Sequence, residues 1–574
     1  VSAAAPALVR LPVWRARFVL AGLVAAFAVI AGRSLYLQAM HTAFLQEKGE
    51  ARYGRVLEVP GTRGRILERN GEALAISTPV QSVWAIPGDV RASPAELRRL
   101  AALLDLEPGE LRRRLGDPSR DFVYLKRQIA PETADRVARL GLEGVYQHRE
   151  YRRYYPGGEV TAHLVGFTGV DEAGQEGVEL AFEASLGGVP GSRRVIKDRR
   201  GRVVEDVESI RAAQDGRDLA LSIDGKIQSL AYAALKEAVI ANRAKAGALV
   251  AIDVRTGEVL ALANAPSFNP NNRARLAGAQ LRNRALTDVF EPGSTLKPFT
   301  VALALESERV SPATRVHIGN GGLRVAHHTI HDPHPETALS VAQVIQKSSN
   351  VGAARIALAL EREDLWRFFQ RAGFGAPPGL GFPGEAAGKL RPADSWRPIE
   401  QATMAYGHGI SVSLMQLARA YTMFARDGEI IPVTLLKSPT PVAGRRVLSA
   451  QTAREMRAML ELAVQPGGTA PRARIMGWRV AGKTGTAHKQ ENGGYAADRY
   501  IASFVGLAPA SRPRVVIAVM IDEPSAGQYF GGVVAAPVFA QVARGALRAL
   551  GVPYDAPLEP LPLPGEVEEA REST

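Results

Sequence analysis

The run Phe18–Gly32, FVLAGLVAAFAVIAG, constrains this chain more than any other stretch. It carries no charge, with Arg10, Arg15 and Arg17 before it and Arg33 after it. A bilayer-spanning helix needs about 20 apolar residues, with about 17 as the lower limit. Arg33 can snorkel, so the helix is expected to continue through Leu35, Tyr36 and Leu37, giving a span over 18–38. The arginines before it predict that residues 1–17 are cytoplasmic and that the chain beyond about residue 40 lies outside the cytoplasmic membrane. A cleaved signal peptide is the rival reading. Val29 and Ala31 make a poor cleavage site, and an uncleaved anchor is expected.

At 574 residues the chain exceeds one ordinary domain. It has no cysteine, which excludes a disulfide framework and a thiolate metal site. The net charge of +13 implies anionic surroundings. No nucleic-acid motif is present, so nucleic acid is not an expected partner. Lipid headgroups at the cytoplasmic membrane and a pyrophosphate-bearing lipid precursor suit the charge better.

Residues 39–217 read as a charged, mixed region. Val80–Ile86 has strand character, and Pro94–Leu104 and Pro131–Leu140 read as helices. The arginine-rich segments 112–114 and 199–202 read as solvated faces. A second domain is expected over 218–551. Asp224 can cap a helix with apolar positions at Ile227, Leu230, Ala234 and Val239. Ala248–Asp253 and Val259–Ala263, joined through Arg255-Thr256-Gly257, read as a hairpin. Three later strands are expected: Trp478–Ala481, Ile501–Ala508 and Arg514–Ile521. Val533–Leu550 reads as a terminal helix. The fold class is α+β: a five-stranded antiparallel sheet flanked by helices, with a mostly helical insertion over 270–470. Residues 552–574, rich in proline and glutamate, read as a disordered tail.

The chemistry concentrates at Glu291-Pro292-Gly293-Ser294-Thr295-Leu296-Lys297-Pro298, which holds the one Ser-x-x-Lys in the sequence. On a helix, positions i and i+3 share a face. A serine hydroxyl is a weak nucleophile until a neighbour takes its proton. Lysine serves as that base only when burial or a second cation lowers its pKa from about 10.4. Pro298 is tolerated in a first turn, so the helix is expected to start near Ser294. Two further stretches stand in order behind it: Lys347-Ser348-Ser349-Asn350 after an apolar helical run, and Lys483-Thr484-Gly485-Thr486 running on from Trp478-Arg479-Val480-Ala481-Gly482. Each alone has an ordinary explanation: a solvated polar pair, a helix C-terminus, an edge strand with a turn. The ordered set Ser-x-x-Lys, Ser-x-Asn, Lys-Thr-Gly is the signature of penicillin-binding proteins and class A β-lactamases.

On these motifs the chain resembles the class B penicillin-binding proteins, most closely their septal, FtsI-type branch. The likeness extends to Arg63-Gly64-Arg65-Ile66-Leu67-Glu68-Arg69-Asn70-Gly71, to Arg152-Arg153-Tyr154-Tyr155-Pro156, to Lys197–Arg202, to Asn269-Pro270-Asn271-Asn272 and to Asp288–Ser294. It implies a membrane-anchored D,D-transpeptidase with a non-catalytic pedestal over 39–217. It further implies that Ser294 attacks the D-Ala-D-Ala end of a peptidoglycan stem peptide, with Lys297 as base and Lys483 as the cation keeping Lys297 neutral. Ser348 would relay a proton to the leaving D-Ala and Asn350 would hold the donor. Thr484 and Thr486, with Gly485 between them, would bind the terminal carboxylate. The Ser294 and Thr486 amides would form the oxyanion hole. Tyr406, Tyr529 and Phe530 fall where the family has cleft-wall aromatics, and His408 replaces a tyrosine often found there. The implied partners are stem peptides, β-lactams, the septal glycosyltransferase FtsW and other division proteins. No metal or organic cofactor is implied.

Two other patterns compete for attention. Gly477–Thr484 matches the phosphate-loop pattern G-x-x-x-x-G-K-T, but a phosphate loop opens a helix, and no helix is expected after Thr484. His327, His328, His331 and His334 cluster at a density that invites a metal, yet Asp332, Pro333 and Pro335 predict an irregular polar loop. Rival activities are an elongation-type transpeptidase, a D,D-carboxypeptidase, a β-lactamase and a non-catalytic β-lactam sensor or division scaffold.

Overall fold

The computed structural model describes residues 12–40, 54–197, 203–559 apart from 275, 277, 334–335 and 492–493, and 569–572. The apolar N-terminal run forms a helix over Val13–Leu35. Val13–Gln38 is long and apolar enough to cross a membrane, with a mean hydropathy of 2.1. The helix begins five residues before the expected span, because Val13, Trp14 and the arginines up to Arg17 continue its turns.

Packing divides the chain into two units that cut across the boundary expected near residue 217. One unit comprises residues 1–62, 80–150 and 188–215; the other comprises 63–79, 151–187 and 216–574. The division by packing differs from the linear one expected, a pedestal over 39–217 and a domain over 218–551. The first segments of the family signature, from Arg63 and from Tyr151, pack with the catalytic residues.

In the first unit, Gln81–Ala85 pairs antiparallel with the strand Val123–Ile129. The helices Pro94–Leu103 and Pro131–Ala138 close a small core of Val83, Leu100, Leu104, Leu111, Leu125 and Val137. Ser93 opens the first of these helices with a reciprocal capping box to Glu96. An antiparallel ribbon of Gly54–Val59, Gly191–Lys197 and Val203–Arg211 completes the unit. The Arg112–Arg114 segment forms a helix end, where Arg114 donates to the Leu125 carbonyl at 2.7 Å. The 199–202 segment lies outside the described residues.

The second unit is built on a five-stranded antiparallel sheet. We label its strands β1 (Ala246–Asp253), β2 (Val259–Ala265), β3 (Ala481–Glu491), β4 (Gly494–Ala508) and β5 (Val515–Asp522). The order is β2-β1-β5-β4-β3, which leaves β3 on an edge. Strands β1, β2 and β5 are buried along their whole length, as strands covered on both faces must be. Helix α1 (Gly225–Ala241) starts where Asp224 accepts hydrogen bonds from the Lys226 and Ile227 amides at 3.0 and 3.1 Å. It packs with the terminal helix Ala536–Ala549 on one face of the sheet, around Ile227, Leu235, Phe504 and Phe539. The helix Leu414–Ala425 covers the other face within the larger core, which also holds Phe299, Phe374 and Tyr421. This is the α+β class expected.

Three local expectations are corrected. Trp478 closes a tight turn at Met476-Gly477, Arg479 and Val480 are irregular rather than the start of a strand, and β3 begins at Ala481. The Trp478 ring packs 4.4 Å from Tyr554 and its indole N–H donates to the Pro553 carbonyl at 3.0 Å, which holds the turn off the sheet. Within Val533–Leu550, the helix is interrupted at Ala535 and resumes over Ala536–Ala549. The described parts of the tail are anchored rather than disordered. Asp555 accepts from the Arg479 amide at 2.8 Å, and Glu569 pairs with Arg472 at 2.8 Å.

The signature residues at the head of the chain form one buried ionic clamp. Arg63 and Arg153 both donate to Glu179, at 2.6 and 2.7 Å, and all three side chains are at most 2% exposed. Arg153 also reaches the Gly64 carbonyl at 2.8 Å. Asn271 closes the next link, accepting from the Tyr155 amide at 3.0 Å and donating to its carbonyl at 2.9 Å.

Candidate active site

Ser294 lies in a short 3-10 turn, Gly293–Leu296, that feeds helix α2 (Lys297–Glu306). Lys297 and Pro298 are the first two residues of α2, so the proline ring replaces an amide that has no intrahelical partner. The turn and helix put Ser294 and Lys297 on one side, and the Lys297 amine lies 2.9 Å from Ser294 Oγ.

The second motif ends a helix, as its sequence suggests, and opens another. The helix Val341–Gln346 ends at Lys347, and α3 (Asn350–Leu358) begins two residues after Ser348. Ser348 occupies the left-handed region, with φ of +61°. A β-carbon makes that conformation costly, by about 1–3 kcal/mol, and such strain persists where surrounding contacts fix it. Here the contacts are two lysines. Lys297 donates to the Ser348 carbonyl and lies 3.0 Å from its Oγ. Lys483 donates to the same Oγ at 2.9 Å.

Lys483 and Lys297 are both fully buried. Burial, and then the positive charge of Lys483, hold the Lys297 amine well below the usual lysine range. Burial pulls Lys483 down to about 8, against the opposing pull of Glu572. One cation between two serines is cheaper here than two, so the pair favours a neutral Lys297 beside a charged Lys483.

Lys-Thr-Gly lies inside edge strand β3, with Lys483, Thr484, Gly485 and Thr486 opposite Val505, Phe504, Ser503 and Ala502 of β4. The strand runs on to Glu491, and no helix follows Thr484. The phosphate-loop pattern thus has the wrong backbone. Gly485 is required by packing. A β-carbon there would fall 2.5 Å from Ser503 Oγ and 2.8 Å from the Pro292 carbonyl, forcing β3 off the serine loop. Gly407 has the same role from the other wall: its φ is +88° and its β-carbon would fall 2.2 Å from the Gly293 carbonyl.

The remaining expected residues surround this centre unequally. Thr486 Oγ1 accepts from the Gly531 amide at 3.0 Å and donates to the Glu572 carboxylate at 2.6 Å. Thr484 is turned to a different partner, sharing a 3.0 Å hydrogen bond with Thr469, and stays 3.4 Å from Lys483 Nζ. Asn350 is buried as the first residue of α3. Tyr406 is buried, and its ring lies 5.2 Å from that of His408. Tyr529 stacks on Tyr500 at 4.0 Å and 9°, and Phe530 follows at 4.5 Å from Tyr529. His408 stands 3.7 Å from Glu291 and burial holds its imidazole down at about 4, so it is neutral at pH 7.

Several participants have no signature in the sequence. Asp332, within the histidine-rich loop, accepts from the Asn350 and Val351 amides at 2.5 and 3.2 Å and bonds the Ser349 hydroxyl. It fixes the junction that carries Ser348. His328 and His331 lie on a small hairpin leading to it. Among the described residues, no group of three or more His, Asp or Glu side chains gathers as a metal-ligand set. His334 lies outside the described residues. Glu291, just before the serine loop, accepts from the Gly409 amide at 2.7 Å, Gln490 at 2.6 Å and Tyr495 at 3.1 Å, tying that loop to the far end of β3. The Tyr529-Phe530-Gly531-Gly532 run was the signal for the backbone donors at Gly531 and Gly532, since paired glycines after aromatics permit close backbone approach.

Comparison with known proteins agrees with this geometry. Residues 247–544 match the penicillin binding protein transpeptidase domain, and residues 58–221 match the penicillin-binding protein dimerisation domain. The chain is 43% identical over 548 residues to the probable peptidoglycan D,D-transpeptidase PenA of Neisseria gonorrhoeae, covering 95% of this chain and 94% of the relative. It is 41% identical over 549 residues to the peptidoglycan D,D-transpeptidase FtsI of Escherichia coli K12, covering 95% and 93%. Among solved structures, the apo transpeptidase domain of Burkholderia pseudomallei penicillin-binding protein 3 is 52% identical with a TM-score of 0.55, covering 59% of this chain and 98% of that one. A peptidoglycan synthetase from Bifidobacterium adolescentis is 25% identical with a TM-score of 0.70, covering 88% and 99%.

Proposed function

The chain belongs to the class B penicillin-binding proteins, and we propose that it is a serine D,D-transpeptidase that cross-links peptidoglycan stem peptides at the division septum and is a target of β-lactams. The observation that carries the chemistry is the hydrogen-bonded row Ser294–Lys297–Ser348–Lys483, in which a buried amine of lowered basicity touches the candidate nucleophile.

In this reading Lys297 takes the Ser294 proton as Oγ attacks the penultimate carbonyl of the donor peptide. The Ser294 and Thr486 amides receive the developing oxyanion. Ser348, between the two lysines, passes a proton to the departing D-Ala, leaving an acyl-enzyme on Ser294. An amine from a neighbouring stem then attacks that ester. Lys483 and Thr486 hold the donor's terminal carboxylate, with the Gly531 and Gly532 amides beside them. Thr484 contributes through Lys483 and Thr469. Asn350 holds the donor's backbone, and Tyr406, Tyr529 and Phe530 wall the cleft. An edge strand with a free side also lets an extended peptide add to the sheet beside β3.

A purified chain given a donor ending in D-Ala-D-Ala and an amine acceptor is expected to release D-Ala and form the cross-linked amide. Release without the amide assigns a carboxypeptidase; no release supports a sensor or scaffold.

The N-terminal helix and the FtsI relative support a single-pass membrane protein with its catalytic unit outside the cytoplasm. The septal assignment rests on the likeness to FtsI over the N-terminal half as well as the catalytic half. In this reading the helix packs laterally against FtsW, where Gly22, Ala25, Ala26 and Gly32 supply small faces, and other division proteins meet the pedestal. Depletion is expected to give filaments with unfinished septa. Round, swollen cells that still divide would assign an elongation enzyme instead.

A further inference from the structure

The carboxylate subsite of the cleft already has a ligand within the chain. Glu572 accepts from Thr486 Oγ1 at 2.6 Å and from the Gly532 amide at 2.7 Å; burial pushes its carboxyl up, against the Thr486 hydrogen bond and the pull of the Lys483 cation. The contact does not stand alone. Glu569 accepts from Arg472 Nε at 2.8 Å, and the Ala570 amide donates to the Gly468 carbonyl at 2.9 Å. Further back, Tyr554 and Asp555 fix the departure of the tail at Trp478 and Arg479. The tail is thus attached at two separate places, and its second attachment ends with a carboxylate on the donors that a D-Ala carboxylate requires. A side chain built on Gly532 would press on Glu572 as well, with its β-carbon 2.9 Å from Oε1.

We propose that the tail segment around Glu572 is a tethered competitor for the carboxylate subsite, which must leave before a donor peptide or a β-lactam binds productively. This rests on the reading of the cleft as a donor site. The physical basis is that a ligand on a short tether acts at an effective concentration of about a millimolar, so weak contacts suffice to occupy a site much of the time. The rate of capture by any incoming donor then scales with the fraction of molecules whose tail is out.

The test is the second-order rate of acylation by a fluorescent penicillin, measured on the full chain, on Glu572→Ala and on a chain ended after Glu559, which keeps the Tyr554 and Asp555 anchors. Both variants are expected to react roughly three- to tenfold faster, as the open fraction rises to unity. A synthetic peptide of residues 566–574 is expected to slow the shortened chain. Equal or slower rates in both variants, with no effect of the peptide, overturn the proposal while leaving the transpeptidase reading intact. Absence of labelling in every version, the full chain included, overturns the transpeptidase reading instead.

Discussion

Replacing Lys297 by alanine is expected to lower the rate of acylation by a penicillin roughly 10²–10⁴-fold, the range that a positioned general base contributes. Lys297 has no accessible surface, and its amine lies 2.9 Å from Ser294 Oγ and 3.0 Å from Ser348 Oγ. No other basic side chain is bonded to Ser294 among the described residues. The pH profile of the intact chain follows from the two lysines. Burial and the Lys483 charge lower the Lys297 pKa, so the neutral base persists to lower pH than an ordinary lysine allows and is lost as the pH falls through that depressed value. Lys483, lowered to about 8, loses its charge as the pH rises through that value, and with it the attraction for the donor carboxylate. The rate is therefore expected to fall above about pH 8. A stopped-flow or gel-based series across pH, repeated on Lys483→Arg, checks this. Arginine stays charged, so the alkaline limb should move out of range even if the plateau is lower. An unchanged limb would assign it to another group.

The second large effect concerns stability. Glu179→Ala leaves Arg63 and Arg153 facing each other with nothing between them, inside a site where both side chains are 2% exposed. Removing one partner of a buried ion pair costs about 3–5 kcal/mol, because the remaining charge is stranded. Arg63 retains Glu183 at 2.8 Å, which moderates the loss on that side. Arg153 keeps hydrogen bonds only to neutral groups, the Gly64 carbonyl and the Ser77 hydroxyl, with the Glu172 carboxylate behind Ser77. Chemical denaturation of the variant is expected to show a loss of this order in the transition of the second unit. A loss below about 1 kcal/mol, the scale of an exposed pair, would mean that the clamp is solvated.

The catalytic centre was legible because its chemistry fixes side-chain types at short spacings. Ser294 and Lys297 are three residues apart, and their helix brings them together without help from distant sequence. What the spacing alone left open was supplied by tertiary contacts. Asp332 acts on the amides of Asn350 and Val351, and amides have no letter in a sequence. Gly531 and Gly532 contribute backbone donors, for which the paired glycines after Tyr529 and Phe530 are the one trace in the sequence. Thr484 and Thr486 look equivalent on paper, yet Thr469 engages the first while Gly531 and Glu572 engage the second.

The fold was read by the same physics, with failures where local pattern and packing disagree. The buried strands β1, β2 and β5 are continuous apolar runs and were recognised. The alternation in Trp478-Arg479-Val480 imitates a strand, but the indole is drawn aside by Tyr554 and Pro553. The tail has the composition of a disordered segment; one tyrosine packed at a tilt against a tryptophan, and two glutamates that find Arg472 and Thr486, are enough to seat its described parts. Arg63 and Arg153 are distant in sequence from the catalytic residues but share their packing unit, which a linear boundary near residue 217 does not express.

The most direct test of the central claim is to react the purified chain with a penicillin, measure the intact mass and map the modified peptide. The account predicts a single adduct, on Ser294, and none in Ser294→Ala. An adduct on another residue, or full labelling of Ser294→Ala, would contradict it.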